Sequence, residues 1–382
     1  MESCNHQRSL LPSLPDIPAL AVRAAEHVDV QSMLSILRQQ TSSGRLAVTV
    51  RPLIISHFHI RRANRTSRGV ATMQPITNPL TQSATFLVVT AADKSSKDTI
   101  STIRNGLASI GDLVKNVSIR HPTANLSCTV GIGSDAWDLL TSLTRPRDLH
   151  SFKEIKGAKH TAVSTPGDIL FHIRSERRDV CFEFESQLLE TLGDSIKVED
   201  STIGFRYFDA RDLLGFVDGT ANPVADEAKD TVFITESDDS AGTDGSYVVV
   251  QKYLHNMSAW RALSVEQQEA IIGRRKFDNF ELDDAEQGQQ QAHKTLATIE
   301  DEQGNEHDIL RDNMPFGSPS SKEYGTYFIG YSKELWVIEK MLERMFVGNP
   351  PGLHDRILDY STPLTGTTFF IPSASALESL GE

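Results

Sequence analysis

Twice along this chain, short β-branched and aromatic runs alternate in the same order with stretches whose apolar residues fall at helical spacing. In the first half, Ala84 to Thr90 (ATFLVVT) reads as a buried strand. Ser96 to Ile110 follows with Ile100, Ile103, Leu107 and Ile110 on one helical face. Leu126 to Ile132 is a predicted strand, Asp135 to Leu143 a helix, Asp168 to Arg174 a strand, Asp179 to Leu192 a helix, and Gly204 to Phe208 a strand. The second half begins again with a strand at Ser246 to Leu254. A helix then opens at Ser264, where Gln267 three residues on makes a capping box. His307 to Arg311 and Thr326 to Tyr331 read as strands, Glu334 to Phe346 as a helix and Thr367 to Ile371 as the last strand.

Two successive β-α-β-β-α-β-like units predict an α+β chain: two ferredoxin-like domains with antiparallel β-sheets, over 76–206 and 207–375. The pattern alone is also compatible with a parallel α/β sheet. No glycine-rich phosphate loop accompanies it, because Gly131-Ile132-Gly133 lacks both a third glycine and a P-loop lysine.

Residues 1–72 stand apart. No acidic residue lies between Asp29 and Asp93, whereas Arg38, Arg45, Arg51, Arg61, Arg62, Arg65 and Arg68 all do. Such a stretch reads as an organelle-targeting segment or as a disordered extension ahead of Met73; the proline-broken start, with Pro12, Pro15 and Pro18, weighs against targeting. Cytoplasmic location and organelle import are therefore both open. No run of about 18 apolar residues suits a membrane-spanning helix. The formal net charge of -13 weighs against nucleic acid as a partner. Three scattered cysteines make neither a disulfide framework nor a zinc site, while 12 histidines leave room for a metal ligand.

Three segments carry candidate chemistry. In Gly215-Phe216-Val217-Asp218-Gly219-Thr220-Ala221-Asn222-Pro223, two turn dipeptides suggest a surface loop. Phe216 and Val217 nevertheless press Asp218 toward apolar surroundings, where a carboxyl with a raised pKa can shuttle protons. In Ile309-Leu310-Arg311-Asp312-Asn313-Met314-Pro315, a strand runs into an Arg-x-Asn pair and stops at Met314-Pro315. Arg311 is a salt-bridge partner or, if turned inward, a permanent cation; Asn313 is a turn cap or a site residue. The third segment holds His293, which composition does not separate from His255 or His307.

These residues together carry a resemblance. GFVDGTANP is similar to the Gly-x-x-Asp-Gly signature of dye-decolourising (DyP-type) haem peroxidases, and LRDNMPFG to the family's distal Arg-x-Asn segment. IGRRKFDNFELDDAEQGQQQAHKTL resembles the stretch ending in the proximal histidine, although Lys294 and Thr295 are polar where the family is more apolar. MFVGNPPGLHDRILDYSTPLTGTTFF resembles its C-terminal helix, loop and strand. The likeness spans roughly 76–375 and is nearest the compact B-type members.

It implies one haem b per chain in the C-terminal domain, with His293 as metal ligand, Arg311 also beside the cofactor, and His307 the competing ligand. It implies that Asp218 moves the proton of hydrogen peroxide, Arg311 stabilises the developing charge, and Asn313 orders the connecting water. An organic donor such as a dye or phenol then supplies electrons singly, either in the pocket or through Trp137, Trp260 or Trp336. A carboxylate among Glu281, Asp283 and Asp284 is expected to hold the other ring nitrogen of His293. Two other classes fit less well: a haem carrier for iron handling, which has little use for Asp218 and Arg311, and a haem-free ferredoxin-like interaction module. Homo-oligomeric assembly is left open.

Overall fold

The computed structural model describes residues 73–382, so the extension read at 1–72 lies outside the described residues. The first half contributes β1 (Ser83–Ala91), β2 (Ser127–Gly133), the two-residue β3 (Ile155–Lys156) and β4 (Thr161–Ala162), β5 (Ile169–Ser175) and β6 (Ile196–Phe205). The second contributes β7 (Ser246–His255), β8 (Ile299–Glu300), β9 (Glu306–His307), β10 (Leu310–Arg311), β11 (Met314–Ser318), β12 (Glu323–Ser332), β13 (Ser361–Pro363) and β14 (Thr367–Ile371).

Every pairing is antiparallel, which removes the parallel α/β alternative. The long strands order as β12-β7-β14-β2-β5-β1-β6, with β10 and β11 both on the outer side of β12. Each half thus has the ferredoxin-like order, in which the first strand lies between the third and the fourth. The halves join edge to edge where Phe369 and Phe370 of β14 pair with Gly133 and Ile132 of β2. The far edges also approach: a Cβ added at Gly204 on β6 would fall 2.6 Å from Cβ of Met314 on β11.

Both faces of the sheet are dry, which is why β1 reads as a continuous apolar run. Leu87 and Val89 pack under the helices Lys97–Ala108 and Arg178–Leu192, while Phe86 and Val88 face the interior with Met314, Tyr327, Ile329 and Phe369. Four buried apolar residues in a row, Phe86 to Val89, suit a strand covered on both sides.

Three sequence expectations are corrected. The strand expected at Gly204 to Phe208 runs from Ile196 to Phe205, with Phe208 in a 3-10 turn. It is an edge strand carrying exposed Lys197 and Glu199, and so has little apolar signature. The strand expected at His307 to Arg311 divides, β9 pairing with β8 and β10 with β12. Met314-Pro315 starts β11 rather than stopping a strand, since an edge strand tolerates the missing proline N–H. The capping box at Ser264 forms as read.

A smaller apolar cluster of Leu214, Phe216, Met257, Trp260, Ile271 and Ile272 lies beside β7 and positions the candidate loop. Trp260 donates its indole N–H to the Leu214 carbonyl at 2.9 Å, fixing the chain just before Gly215.

Candidate active site

Asp218, His293 and the pair Arg311 and Asn313, which come from three separate segments, line one cavity. Its other walls are largely apolar, among them Leu214, Phe216, Phe328, Met341, Leu342 and Met345. A larger and more polar cavity adjoins it and shares Asp218, His293 and Arg311.

Asp218 sits on a loop that needs glycine on either side, since Gly215 and Gly219 have φ of 97° and 76°. Its N–H donates to the Ala210 carbonyl at 2.8 Å, closing the loop behind it. Asn313 Nδ2 donates to Asp218 Oδ1 at 3.3 Å, while Asn313 Oδ1 accepts the Ile329 N–H at 3.1 Å. Both ends of the amide are committed, so Asn313 holds Asp218 rather than capping a turn.

Arg311 is held by Asn222, which in the sequence is only half of a turn dipeptide with Pro223. Asn222 Oδ1 accepts from the Arg311 N–H at 3.1 Å and from Nε at 3.4 Å, and Asn222 Nδ2 donates to the Arg311 carbonyl at 2.6 Å. Burial lowers the guanidinium pKa, and Asp218 and Asp308 oppose the shift. The site therefore contains a desolvated cation aimed by an amide. Its pattern in sequence, Asn-Pro after a Gly-flanked Asp, gave no sign of a partner 89 residues on.

In the cavity wall, burial pushes the Asp212 carboxyl up to about 7. Desolvation is the largest cause, hydrogen bonds from the backbone of Phe216 and Gly215 oppose it, and the charge of Asp218 adds to it. Asp212 Oδ1 accepts both of those N–H groups at 2.9 Å, which folds the segment leading to Asp218. Nothing in the sequence distinguished it from an ordinary surface aspartate.

His293 begins the short helix His293–Ala297. Its Nδ1 lies 2.6 Å from Oδ2 of Asp355, which is fully buried. Burial works most strongly against the imidazolium, but the charge and hydrogen bond of Asp355 outweigh it, and the pKa is raised. The partner expected among Glu281, Asp283 and Asp284 is therefore Asp355 instead. Glu281 and Asp284 are turned outward, Glu281 to Arg274 and Lys294, Asp284 to Lys294 and Thr295. That use also accounts for the polar Lys294 and Thr295 after His293.

The competing histidines are occupied. His307 has Nδ1 3.2 Å from Glu334 and Nε2 3.3 Å from Asp301. His255 lines the cavity, yet its ring nitrogens meet Ser361 at 2.8 Å and Thr326 at 2.9 Å. The hydrogen bonding of His293 is confined to Nδ1. Of the three tryptophans, Trp137 and Trp260 are buried and Trp336 is partly exposed, edge-on to His307 at 4.9 Å.

Comparison with known proteins gives matches in both halves. The family described as "Dyp-type peroxidase, N-terminal" matches residues 73–206, and "Dyp-type peroxidase, C-terminal" matches 209–376. A dye-decolorizing peroxidase of Brevibacterium linens is 50% identical over 308 residues, covering 80% of this chain and 82% of that protein. Among solved structures, DyPB from Rhodococcus jostii RHA1 is 51% identical with a TM-score of 0.77, covering 81% of this chain and 98% of that one. Variants of that protein are described in complex with heme. The encapsulated DyP-type peroxidase of Mycobacterium smegmatis is 48% identical with a TM-score of 0.76, covering 81% and 98%.

Proposed function

The chain belongs to the Dyp-type peroxidase family of haem-dependent enzymes, and from that premise we propose that His293 holds the haem iron while Asp218, Arg311 and Asn313 handle peroxide. The donor set fits the group. An imidazole with Nδ1 committed to a buried carboxylate keeps its Nε2 lone pair for a metal, so His293 would be able to hold haem iron. Apolar walls suit a flat, largely apolar macrocycle. Haem, when bound, supplies an iron centre at which hydrogen peroxide is reduced and through which organic donors are oxidised one electron at a time.

The protein's own part is proton transfer and charge control. With haem bound to supply the electrons that cleave the O–O bond, Asp218 would accept a proton from one oxygen of hydrogen peroxide and deliver it to the other, which can then leave as water. Arg311 stabilises the negative charge that grows on the leaving oxygen, and its charge does not depend on pH. Asn313 keeps Asp218 at the cavity and Asn222 keeps Arg311 there. Asp355 fixes the ring of His293 and makes it a stronger electron donor.

The single observation that carries this reading is the convergence of His293, backed by Asp355, with Asp218, Asn313 and Arg311 on one cavity. A haem carrier needs the first pair but not the others. The test is the absorption spectrum of haem-loaded protein before and after one equivalent of hydrogen peroxide. Rapid conversion of the ferric Soret band is expected; a Soret band that peroxide leaves unchanged would overturn the assignment of roles. The His293→Ala variant is expected to lose the protein-bound ferric spectrum.

A further inference from the structure

Between the two cavity residues Arg311 and Asn313 sits Asp312, and side chains in extended backbone alternate sides. Arg311 and Asn313 face the cavity; Asp312 faces the interior and is 3% exposed. There Oδ2 accepts from Arg174 Nη1 at 3.1 Å, and Oδ1 from Arg206 Nη2 at 3.4 Å. His172 Nε2, with no hydrogen-bond partner, lies 3.8 Å from Oδ2. Arg174 is 1% exposed, on β5 of the other half, and its guanidinium also donates to the carbonyls of Pro75 and Ile76.

A buried ion pair is a poor way to add stability. Desolvation offsets most of the attraction, and an apolar pair of similar volume often does as well. The arrangement here has a geometric result that an apolar pair lacks. A carboxylate clamped between two guanidinium groups has its position along the strand fixed, and its immediate neighbours share that backbone. The front of the segment is held by Asn222 and Asp218, and the back by Arg174.

We infer that Asp312 is a positioning residue for Arg311 and Asn313, and that Arg174, reaching across from the first ferredoxin-like half, is its anchor. The inference rests on the reading that Arg311 acts at the iron's peroxide-binding side. It makes the reactive geometry depend on both halves, although the haem-binding residues come from the second.

Sodium fluoride binding to the ferric, haem-loaded protein tests this without turnover, because a bound anion needs the donors of Arg311. Asp312→Asn is expected to weaken fluoride binding about tenfold, the size of one lost hydrogen bond to a charged group. Simple charge removal predicts the opposite sign, since losing a carboxylate makes the region more positive. Unchanged or tighter binding in Asp312→Asn overturns the inference.

The double variant Arg174→Met/Asp312→Leu separates positioning from stability, and carries the test if the single variant does not fold. Its Tm is expected near that of the parent, with Arg206 free to reach water from its partly exposed site. Its fluoride affinity is expected to stay about tenfold weak. Recovery of affinity together with Tm would show a merely structural pair and overturn the inference. Arg311→Leu runs in parallel: fluoride affinity unchanged there removes the reading of Arg311 itself, and the inference with it. Weakened binding there with none in Asp312→Asn removes the inference alone.

Discussion

Asn222 grips Arg311 at three atoms, taking the backbone N–H and Nε on its Oδ1 and giving its Nδ2 to the carbonyl. A side-chain amide that pairs with both backbone groups of a residue acts as an added piece of sheet. Here it ties the Asp218 loop to β10, so that the acid and the cation are placed by one connection.

Asn222→Ala removes that connection and leaves the Arg311 backbone polar groups short of partners. We expect peroxide consumption to fall about tenfold or more, in line with losing a hydrogen bond to a charged side chain. Stopped-flow rates on the haem-loaded variant check it; a parental rate would show that Arg311 is positioned without Asn222.

Arg311→Leu is expected to slow peroxide cleavage by about a thousandfold. Asp218→Ala is expected to give the smaller loss, about a hundredfold. The order follows from the guanidinium charge being constant across pH, whereas a proton carrier can be replaced in part by water. A near-normal rate in the arginine variant would reverse this ranking.

Asp355→Asn keeps the shape but replaces the charged acceptor of His293 Nδ1. A weaker electron donor favours ferrous over ferric iron, so the midpoint potential is expected to rise, by about 60 mV for each tenfold change in relative affinity. Spectroelectrochemistry reads this directly. An unchanged potential would mean that Asp355 only caps the turn at Ile357, which it also does through Oδ1 at 3.0 Å.

Asp212 sets a pH dependence of stability. Its carboxyl is raised to about 7 in the folded protein, so the protonated form is favoured there relative to the unfolded chain. Its contribution is fully present below the unfolded pKa of about 4 and is lost as pH rises toward 7, by about 1.4 kcal/mol per unit at most. Asp212→Asn can still accept the Gly215 and Phe216 N–H groups through its oxygen. The variant is expected to match the parent near pH 4 and to exceed it at pH 8 by a few kcal/mol, roughly. Denaturant titrations at the two pH values decide it; a gain that does not grow with pH would contradict a buried, ionising Asp212.

Much of this molecule was legible as one-dimensional pattern. The β1 run, the helix Arg178–Leu192, the Ser264 capping box and the strand Thr367–Ile371 all declare themselves locally, the two strands as short apolar runs buried on both faces and the capping box as a residue pair three apart. Asp218, Arg311, Asn313 and His293 stood out only through the family resemblance of the segments that hold them, since local turn and strand chemistry left Asp218 on an ordinary loop and did not separate His293 from His255 or His307.

The partners of those residues were not. Asp355 reaches His293 across 62 positions, Asn222 reaches Arg311 across 89, and Arg174 reaches Asp312 across 138. Nor could sequence tell which carboxyl burial would lift, because desolvation depends on what the whole fold packs above Asp212. The edge strand β6 and the edge proline Pro315 misled for the same reason: whether a strand has one neighbour or two is a property of the sheet, not of its residues. Local pattern determined most of the elements and their order along the chain, while the antiparallel pairing that makes each half ferredoxin-like was decided by the sheet. Only tertiary structure, by bringing a few polar atoms together where water is excluded, decided how the site is held and charged.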